Sequence, residues 1–418
     1  MNVTLSQQQA DHAVKLDRLA ETAVKVGLGL RKGQELVMTA PIEALELARR
    51  ITAHAYKAGA SLVTLVLNDD EQTLLRYREG ADDSFDAAPG WLYEGMAQAY
   101  RNGAARLAIA GENPTLLSGE DPAKVSRANR ARAKAYSPAL ELIASFSTNW
   151  TIVAAATPAW ARCVFPDDSE ELALAKLWNA IFSASRVDGG DPVGEWRRHN
   201  EALARRTSTL NARRFHALHF RSAGADLTVG LADGHEWAGG ASTSKNGIVC
   251  NANIPTEEVF TTPHRLRVNG RVRASKPLSY MGALIEDIEV RFEDGVIVEA
   301  NARKGVDVLR KVLETDEGAR RLGEVALVPY SSPISKSGLL FYNTLFDENA
   351  ASHIALGQAY SKCFVDGDKL SEAELDARGA NRSLIHIDWM IGSADMDVDG
   401  LDSAGVRTAV MRAGEFVI

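Results

Sequence analysis

The stretch QELVMTAPIEALELARRITAHAYKAGASLVTLVL, residues 34–67, decides the fold of the first half of the chain. Gln34–Thr39 has the length and apolar content of a short strand, and the β-branched, apolar run Leu62–Leu67 predicts a buried strand. Ala44–Ala58 between them is helical by composition, and Gly59 is placed to end that helix. The stretch therefore reads as a strand, a helix and a second strand.

The same alternation continues on both sides of this stretch. His12–Val26 has the apolar spacing of an amphipathic helix. Arg106–Ala110 and Trp150–Ala155 resemble the first strands, and helical sequence such as Leu92–Arg101 lies between them. Strand, helix and strand in repetition predict an α/β domain with a mostly parallel sheet and helices on both faces.

Short strands separated by Gly, Asn and Asp turns replace this alternation after the charged helix Glu195–Leu210. The predicted strands are His216–His219, Asp226–Leu231, Arg265–Val272, Leu284–Phe292 and Val296–Glu299. The triplet Glu293-Asp294-Gly295 predicts a hairpin turn. We place the boundary near Asp188–Val193, and predict an N-terminal α/β domain over 1–190 and a β-rich α+β domain over 191–418.

The bulk composition is ordinary for a soluble globular protein. A chain of 418 residues is too long for one core and suggests two domains. The formal net charge of −8 argues against nucleic acid as the main partner, because phosphate binding needs a concentrated basic surface. Short basic clusters such as Arg130, Arg132 and Lys134 indicate a solvated helix face.

No segment of the sequence indicates export or a membrane. Met1–Gln9 is polar and lacks the apolar core of a signal peptide, and no apolar run reaches the roughly 18 residues of a membrane span. Cys163, Cys250 and Cys363 are far apart and form no CxxC pair, so we expect no disulfides and a reducing cytoplasm. An isolated cysteine is more often a small buried residue than a nucleophile.

Gly27, Gly29 and Gly33 in VGLGLRKGQ resemble a dinucleotide-binding fingerprint, but the pattern fails. Lys32 occupies the place of the third glycine, and the segment precedes its strand, whereas a phosphate loop follows one. We therefore interpret these glycines as a turn. The chain also has no GxSxG serine elbow and no GxxxxGK[ST] phosphate loop.

The stretch SLIHIDWMIG, Ser383–Gly392, reads as a strand. Because side chains alternate along a strand, His386 and Asp388 share one face, while Ile387 and Trp389 share the other. A histidine and an aspartate two apart on a strand form a preset bidentate arm for a metal. The alternative is that they belong to an ordinary solvated face.

The stretch LFDENAASHIALGQAY contains Glu348, His353 and Tyr360. Glu348 and His353 are five apart, which is a poor helical pairing, so we expect Glu348 to precede a helix that carries His353. Asn349 or Ser352 could cap that helix, and Tyr360 would share a face with His353 if the helix continues. The alternative is an N-terminal acid and a buried tyrosine without a site.

Further acids stand in rigid or apolar surroundings. Pro255 and Pro263 bracket Glu257 and Glu258 in NANIPTEEVFTTPHR, and paired like charges are costly unless solvent or a cation offsets them. Glu324 opens an apolar run that reads as a strand. Each feature alone is weak, but carboxylates together with imidazoles are the ligand set of hydrolytic two-metal sites.

These motifs resemble a known family. NIPTEEVFTTPHR, GEVALV, FDENAASHIALGQAY and HIDWMIGS are similar in order and spacing to motifs of the thermophilic aminopeptidase family. The similarity runs along nearly the whole chain, including the N-terminal KGQ strand and the GADLTVGL segment at Gly224–Leu231. It implies that the β-rich domain is a metal-binding catalytic domain.

The resemblance implies a cytoplasmic, homodimeric exopeptidase that releases N-terminal residues from peptides with broad specificity. It implies two divalent metal ions per chain, which could be zinc, cobalt, manganese or magnesium. The implied metal ligands are Glu258, Glu324, Glu348, His353, His386 and Asp388. Glu324 would bridge both ions and Tyr360 would lie in the active site. Spacing favours Glu258 over Glu257 as the ligand and leaves Glu257 as the candidate base.

The mechanism expected from this site is amide hydrolysis by metal-activated water. Glu257 would take the proton and return it to the leaving amine, and Tyr360 would donate to the developing oxyanion. Two other hypotheses are a dinuclear amidase or phosphoesterase, and a non-enzymatic binding module whose acids are only surface.

Overall fold

The computed structural model describes residues 5–280 and 283–418. Two compact units make up the chain, one of them Met1–Arg198 with Ala241–Pro255 and the other His199–Gly240 with Thr256–Ile418. The predicted domains, 1–190 and 191–418, stay a prediction. The units differ from them mainly because Ala241–Pro255 belongs to the first unit.

Helices and strands alternate along the first unit. The helices are α1 Leu5–Thr22, α2 Leu45–Lys57, α3 Asp70–Glu79, α4 Gly90–Arg101, α5 Pro122–Ala144, α6 Pro158–Val164 and α7 Glu170–Ala184, and α8, Pro192–Arg213, contains the division between the units. The strands are β1 Glu35–Pro41, β2 Leu62–Asn68, β3 Ala105–Ala110 and β4 Trp150–Ala154. Gly29, part of the glycine-rich segment, has a φ of 58° where the π-helix Ala23–Leu28 ends. Among the described helices, none is long and apolar enough to cross a membrane.

The strands of the first unit form a four-stranded parallel sheet in the order β2-β1-β3-β4. Val37 of the interior strand β1 belongs to a core cluster with Met96 of α4 and Ile143 of α5. Leu36 and Met38 project from the opposite face because side chains alternate, and both are fully buried. Apolar side chains therefore cover both faces of the sheet at β1.

The strand β2 is less buried than its sequence indicates. It is the edge strand of the sheet and pairs with β1 alone. Leu62 and Leu67 are 49% and 41% exposed, so the expectation of a buried strand is wrong. A strand at the edge lacks a neighbour on one side, and its own composition does not report its place in the sheet.

The rest of the chain is rich in strands, which confirms the predicted fold class. The strands are β5 Ala217–Ser222, β6 Ala225–Leu231, β7 Ser242–Thr243, β8 Val249–Cys250, β9 Val259–Thr261, β10 Pro263–Arg273, β11 Leu278–Tyr280, β12 Ala283–Ile285, β13 Glu289–Glu293, β14 Val296–Asn301, β15 Leu322–Leu327, β16 His353–Gly357, β17 His386–Met390, β18 Asp397–Leu401, β19 Arg407–Arg412 and β20 Glu415–Phe416. The helices are short: α9 Val306–Leu313, α10 Pro333–Ser337, α11 Thr344–Asp347 and α12 Glu372–Ala377.

The Ala241–Pro255 segment completes the first unit. Its strands β7 and β8 form a small antiparallel hairpin. The segment then runs beside β4, where the Ile152 N–H donates to the Ala252 carbonyl at 2.8 Å and the Ile254 N–H donates to the Ile152 carbonyl at 2.9 Å. The hydrogen bonds of β4 are therefore satisfied on the side away from β3 by a late part of the chain.

An eight-stranded antiparallel sheet dominates the second unit, in the order β14-β13-β10-β6-β5-β18-β19-β20. The predicted turn between β13 and β14 is present, with φ of 46° at Asp294 and 81° at Gly295. Glycine is required there, because a Cβ on Gly295 would lie 1.8 Å from the Arg265 carbonyl oxygen.

A separate four-stranded antiparallel sheet, in the order β17-β16-β15-β9, carries four of the eight candidate site residues, namely Glu324, His353, His386 and Asp388. Its apolar face belongs to the main core of the second unit, through residues such as Val325, Ile354 and Trp389. The opposite face of this sheet carries the side chains of Glu324, His353, His386 and Asp388.

Candidate metal centre

His386 and Asp388 lie two apart on β17, in the strand that the alternating sequence predicts. Their side chains share one face, with His386 Nε2 3.4 Å from Asp388 Oδ1. Ile387 and Trp389 project from the opposite face and are buried. The strand therefore presents an imidazole and a carboxylate together while its apolar residues anchor it.

His353 begins the strand β16, and the expectation that a helix carries it is wrong. The helical turns end earlier, with α11 followed by a 3-10 turn at Glu348–Ala350. The strand HIALG is buried throughout and pairs on both sides, with β15 and β17. This pairing, which comes from distant parts of the chain, overrides the helical tendency of the local sequence.

Glu324 of β15 and Asp388 of β17 flank Ala355 of the central strand β16. Glu324 pairs with Ala355, and Ala355 pairs with Asp388. Laterally paired residues of a sheet point to the same side, so both carboxylates project from one face. The methyl group of Ala355 is the only side chain between them in this row, which leaves room above it.

The neighbouring rows follow the same pattern. His353 pairs with Ala326 on β15, and His386 pairs with Gly357 on β16. His353 and Gly357 are two residues from Ala355 along β16, and therefore share its face. Ala326, Ala355 and Gly357 are thus small neighbours of the charged and imidazole side chains, and the face forms a basin lined by ligand-type groups.

Glu258 immediately precedes β9, and its side chain reaches this basin. Its Oε2 lies 3.2 Å from His353 Nε2, and Glu324 Oε1 lies 3.5 Å from the same nitrogen. Two groups of side chains within the described residues have atoms close enough to hold a metal: Glu258 with Glu324 and His353, and Glu324 with His386 and Asp388. Glu324 is common to both groups.

The outer ring nitrogens of both histidines are engaged by backbone carbonyls. His353 Nδ1 lies 3.1 Å from the Ala351 carbonyl oxygen, and His386 Nδ1 lies 2.7 Å from that of Gln358. A carbonyl only accepts, so each Nδ1 carries a hydrogen, and the neutral ring presents a lone pair at Nε2. This is the arrangement of metal-binding histidines.

Unpaired carboxylate oxygens show that the donor set fits a cation. Glu258 Oε2 and Asp388 Oδ1 are buried and accept no hydrogen bond within the described chain. Each is close to an imidazole Nε2 without the geometry of a hydrogen bond. Buried acceptors left without a donor are costly, whereas a divalent ion between them and the nitrogen would satisfy both.

The pKa values of the acids reflect this crowding. Burial raises the pKa of Glu324, and the charges of Glu258 and Asp388 raise it further. Burial and the same two charges hold the pKa of Glu348 well above its usual value. For Asp388, burial acts in the same direction, but His386 outweighs it and lowers the pKa.

The histidines respond in the opposite sense to burial. Burial lowers the pKa of His386, but Asp388 and Glu324 more than reverse this and raise it to about 9. The pKa of His353 is also well above its usual value, because Glu258 and Glu324 outweigh burial. Positive charge is thus favoured in the basin, and protons supply it when no other cation does.

Glu257 and Glu258 are placed differently. Glu257 is only 2% exposed, its backbone N–H donates to Asn349 Oδ1 at 2.7 Å, and its Oε2 lies 3.7 Å from His199 Nε2. Glu258 belongs to a metal-type group and Glu257 does not. The arrangement therefore favours Glu258 as the ligand, the choice made from spacing.

Glu348 lies beside the basin but outside the two metal-type groups. It stands on the 3-10 turn after α11 and lines a cleft together with Asp388. The other lining residues are Pro277, Leu278, Ser279, Tyr342, Asn343, Thr344, Asp347 and Met390.

Tyr360 reaches the site by a different route from the one expected. It follows β16 rather than a helix, and its ring centroid lies 4.6 Å from that of His386. The residue is 40% exposed. Burial of the hydroxyl and the charges of Glu324 and Asp388 raise its pKa, so the phenol stays protonated and able to donate.

Sequence reasoning missed several residues that shape the basin. The helix expected to carry His353 would have included Ala355, and Gly357 counts against an unbroken helix; on the strand, this alanine and glycine two apart mark an uncrowded face. Asn349 was read as a cap, but its side chain contacts the Glu257 backbone. His199 received no role from the sequence, yet its Nε2 lies 2.7 Å from the carbonyl oxygen of Thr256, in the segment before Glu257.

Comparison with known proteins places this chain in a family. The family model described as thermophilic metalloprotease (M29) matches residues 12–416. Aminopeptidase T of Thermus thermophilus is 57% identical over 403 residues, covering 96% of this chain and 98% of that protein. Aminopeptidase 2 of Geobacillus stearothermophilus is 46% identical over 402 residues, covering 96% and 97%.

A solved structure agrees with the sequence matches. The structure of wild-type AmpT from Thermus thermophilus superposes with a TM-score of 0.92 at 55% identity, covering 97% of this chain and 99% of that one. The fold and the basin of acids and histidines define a metallohydrolase. The chain belongs to the thermophilic metalloprotease family (M29), and the predicted class of metal-dependent aminopeptidase is confirmed.

Proposed function

We propose that this chain hydrolyses N-terminal residues from peptides with broad specificity, at a site for two divalent ions. The observation that carries the proposal is that Glu324 is shared by two groups of metal-type side chains on one sheet face. A carboxylate has two oxygens, so one residue can serve two ions at once. A site for a single ion would not need both groups.

The proposed ligands are those implied by the family resemblance. Glu258, Glu324 and His353 would hold one ion, and Glu324, His386 and Asp388 would hold the other. Glu348 completes the set from the side of the cleft, supported by its position beside Asp388 and by the effect of Glu258 and Asp388 on its pKa.

The ions, when bound, supply Lewis acidity that polarises the scissile carbonyl and makes water a nucleophile at neutral pH. Glu257 is the proposed base, which takes the proton of the attacking water and returns it to the leaving amine. Its buried carboxylate adjoins Glu258 in sequence and has His199 as a polar neighbour. Tyr360 is proposed to donate its hydroxyl hydrogen to the oxyanion that develops on the substrate.

The cleft beside Glu348 and Asp388 is the proposed entrance for the N-terminal residue. Its wall combines apolar side chains such as Leu278, Tyr342 and Met390 with the small polar Ser279. A mixed wall without an unpaired basic group supports broad acceptance of side chains rather than recognition of one.

Zinc, cobalt, manganese and magnesium are the candidate ions, since glutamate-rich sites with two histidines accept several of them. We also propose a homodimer in the cytoplasm, following the family resemblance. Sedimentation equilibrium of the purified chain tests the dimer, and fractionation of its source cells tests the location.

Chelation tests the proposed chemistry. Protein treated with EDTA should lose hydrolysis of aminoacyl-nitroanilides and regain it on addition of zinc, cobalt or manganese, with two ions bound per chain by elemental analysis. Nitrophenyl phosphate serves as the control substrate for a phosphoesterase. Full peptidase activity in a demonstrably metal-free sample, or a stoichiometry of one, would sink the two-ion proposal.

A further inference from the structure

Asn349 joins two of the segments that supply the basin. Its side chain is fully buried. The Oδ1 atom accepts the Glu257 backbone N–H at 2.7 Å, and Nδ2 lies 3.4 Å from Glu348 Oε1. One amide therefore contacts both the backbone next to Glu258 and the carboxylate of Glu348, which are far apart in sequence.

Both the oxygen and the nitrogen of the Asn349 side-chain amide form hydrogen bonds. Nδ2 also donates to the Leu345 carbonyl at 3.1 Å, and the backbone carbonyl of Asn349 accepts the Ser332 hydroxyl at 3.2 Å, which fixes the main chain that carries the amide. A planar amide held at both ends has little freedom to rotate. The position of the Glu257 N–H relative to the Glu348 carboxylate is therefore set by the dimensions of one side chain.

The segment that carries Glu258 is also held on either side of the Glu257 contact. His199 Nε2 contacts the Thr256 carbonyl oxygen at 2.7 Å, and regular pairing begins only at Val259, opposite Leu327 of β15. The bond from Glu257 to Asn349 falls between these two anchors. It therefore restrains the backbone immediately before Glu258.

We propose that Asn349 is a positioning residue for the metal centre, which holds Glu258 and Glu348 at a fixed separation through the Glu257 backbone.

 This Glu257 N–H contact and the Glu348 contact make Asn349 the link between the two ligand-bearing segments. The inference rests on the proposed function, since it takes Glu258 and Glu348 as ligands. Partners that orient metal ligands typically affect metal affinity by about 10- to 100-fold when they are removed.

The decisive experiment is a calorimetric titration of metal-free protein with zinc alone. It compares the wild type with two variants, Asn349→Leu and Asn349→Asp. Asn349→Leu has a similar shape and lacks both contacts, so we expect zinc affinity to fall by about 10- to 100-fold. Activity should return toward the wild-type kcat at high zinc concentration, because the ligands themselves are intact.

The second variant, Asn349→Asp, tests the direction in which zinc affinity changes. It keeps the acceptor for the Glu257 N–H, but replaces the donor that faces Glu348 with a second carboxylate oxygen. Added negative charge alone would strengthen zinc binding. Weaker binding in this variant therefore reports lost geometry and supports the proposal, whereas unchanged or tighter binding overturns it.

Asn149→Asp is the matched control. Asn149 is also fully buried, accepts from Gln34 Nε2 at 2.7 Å and donates to the Leu28 carbonyl at 2.7 Å, all within the first unit. It should lose stability without losing zinc affinity.

The outcomes separate this inference from the proposed function. Failure of the wild type to bind zinc would refute the metal centre itself. Zinc binding by the wild type with equal affinity in folded Asn349→Leu would refute only the role of Asn349. If the leucine variant does not fold, the sign of the change in Asn349→Asp decides.

Discussion

The two four-stranded sheets described in this chain differ in how their faces are used. The parallel sheet β2-β1-β3-β4 has apolar residues such as Leu36 and Val37 on both faces of its interior strand. The antiparallel sheet β17-β16-β15-β9 buries one face, through residues such as Ile354, and gives the other to acids and histidines. Both metal-type groups found within the described residues involve this second sheet.

The difference teaches where chemistry can be placed on a sheet. In a strand that is covered on both faces, the side chains on either face are needed for packing and cannot serve as ligands. A strand with one free face can hold ligands in rigid register, and the small residues Ala355 and Gly357 keep that face open. Substitutions that exchange these properties between the sheets test the comparison.

The largest effect is expected for Glu324→Gln, which removes the charge shared by both metal-type groups. The variant keeps the shape of the side chain, so the fold should persist. Because metal Lewis acidity contributes several kcal/mol, kcat/KM should fall by about 100- to 1000-fold or more. Aminoacyl-nitroanilide hydrolysis measures the loss, and circular dichroism checks the fold.

Glu299→Gln provides the control for that charge change. Glu299 is an exposed acid on β14 that forms ion pairs with Arg271 and Arg291 of nearby strands. Its activity should match wild type. Near-normal turnover in Glu324→Gln at saturating metal would show that the sheet face is not the catalytic one.

Ala355→Val should close the open face. Two added methyl groups would crowd the space between Glu324 and Asp388, and overpacking costs about 1–3 kcal/mol. We expect zinc affinity to weaken by about 10- to 100-fold, since each 1.4 kcal/mol is a factor of ten. Calorimetric titration with zinc provides the measurement.

Ala105→Val in β3 is the counterpart in the parallel sheet, where Ala105 is fully buried. The same crowding should lower the free energy of unfolding by about 1–3 kcal/mol without changing zinc affinity. Equal effects of the two substitutions on zinc binding would break the distinction between the sheets.

The thermal effect of zinc should grow with pH. In the metal-free protein the pKa of His386 is raised to about 9, so its stabilising contribution is complete below the unfolded pKa of about 6.5 and is lost as the pH rises toward 9. Zinc requires the unprotonated ring. The increase in Tm on adding zinc should therefore be larger near pH 8.5 than near pH 6.

Differential scanning calorimetry with and without zinc measures that increase. Removing the imidazole in His386→Gln should flatten its pH dependence. A zinc-induced shift that is the same at both pH values would argue that protons and metal do not compete for this basin.

The smallest effect is expected at the wall of the cleft. Tyr342→Ala removes a large side chain from the lining without touching a proposed ligand. Side-chain pockets discriminate by about 1–3 kcal/mol per group, so the ratio of kcat/KM for bulky over small N-terminal residues should rise by about tenfold. A panel of aminoacyl-nitroanilides gives the ratio.

Trp91→Ala is a suitable comparison, because Trp91 is an 81% exposed aromatic residue in the first unit. It should leave the ratio unchanged. If the substrate profile of Tyr342→Ala matches wild type, the N-terminal residue does not contact this wall.

Local periodicity was sufficient where a feature depends on neighbours in sequence. The pair His386 and Asp388 shares a face because a strand alternates, and β17 follows directly from its own residues. The turn at Asp294 and Gly295 is another such case, since the two residues with positive φ are adjacent.

Features that depend on distant pairing could not be read in this way. His353 lies on a strand because β15 and β17 flank it, and nothing within HIALG distinguishes that from a helix. Leu62 is exposed because β2 has no second neighbour. The family resemblance supplied the site residues without requiring either element to be assigned correctly.

The return of Ala241–Pro255 to the first unit has a consequence for how the two units can evolve. Coding sequence for the first unit is interrupted by that for His199–Gly240, so neither unit corresponds to one uninterrupted stretch of gene. Recombination at the Arg198–His199 junction would separate β4 from the Ala252 and Ile254 backbone that bonds to it. The two units should therefore have diversified together, as one module, rather than by exchange of domains.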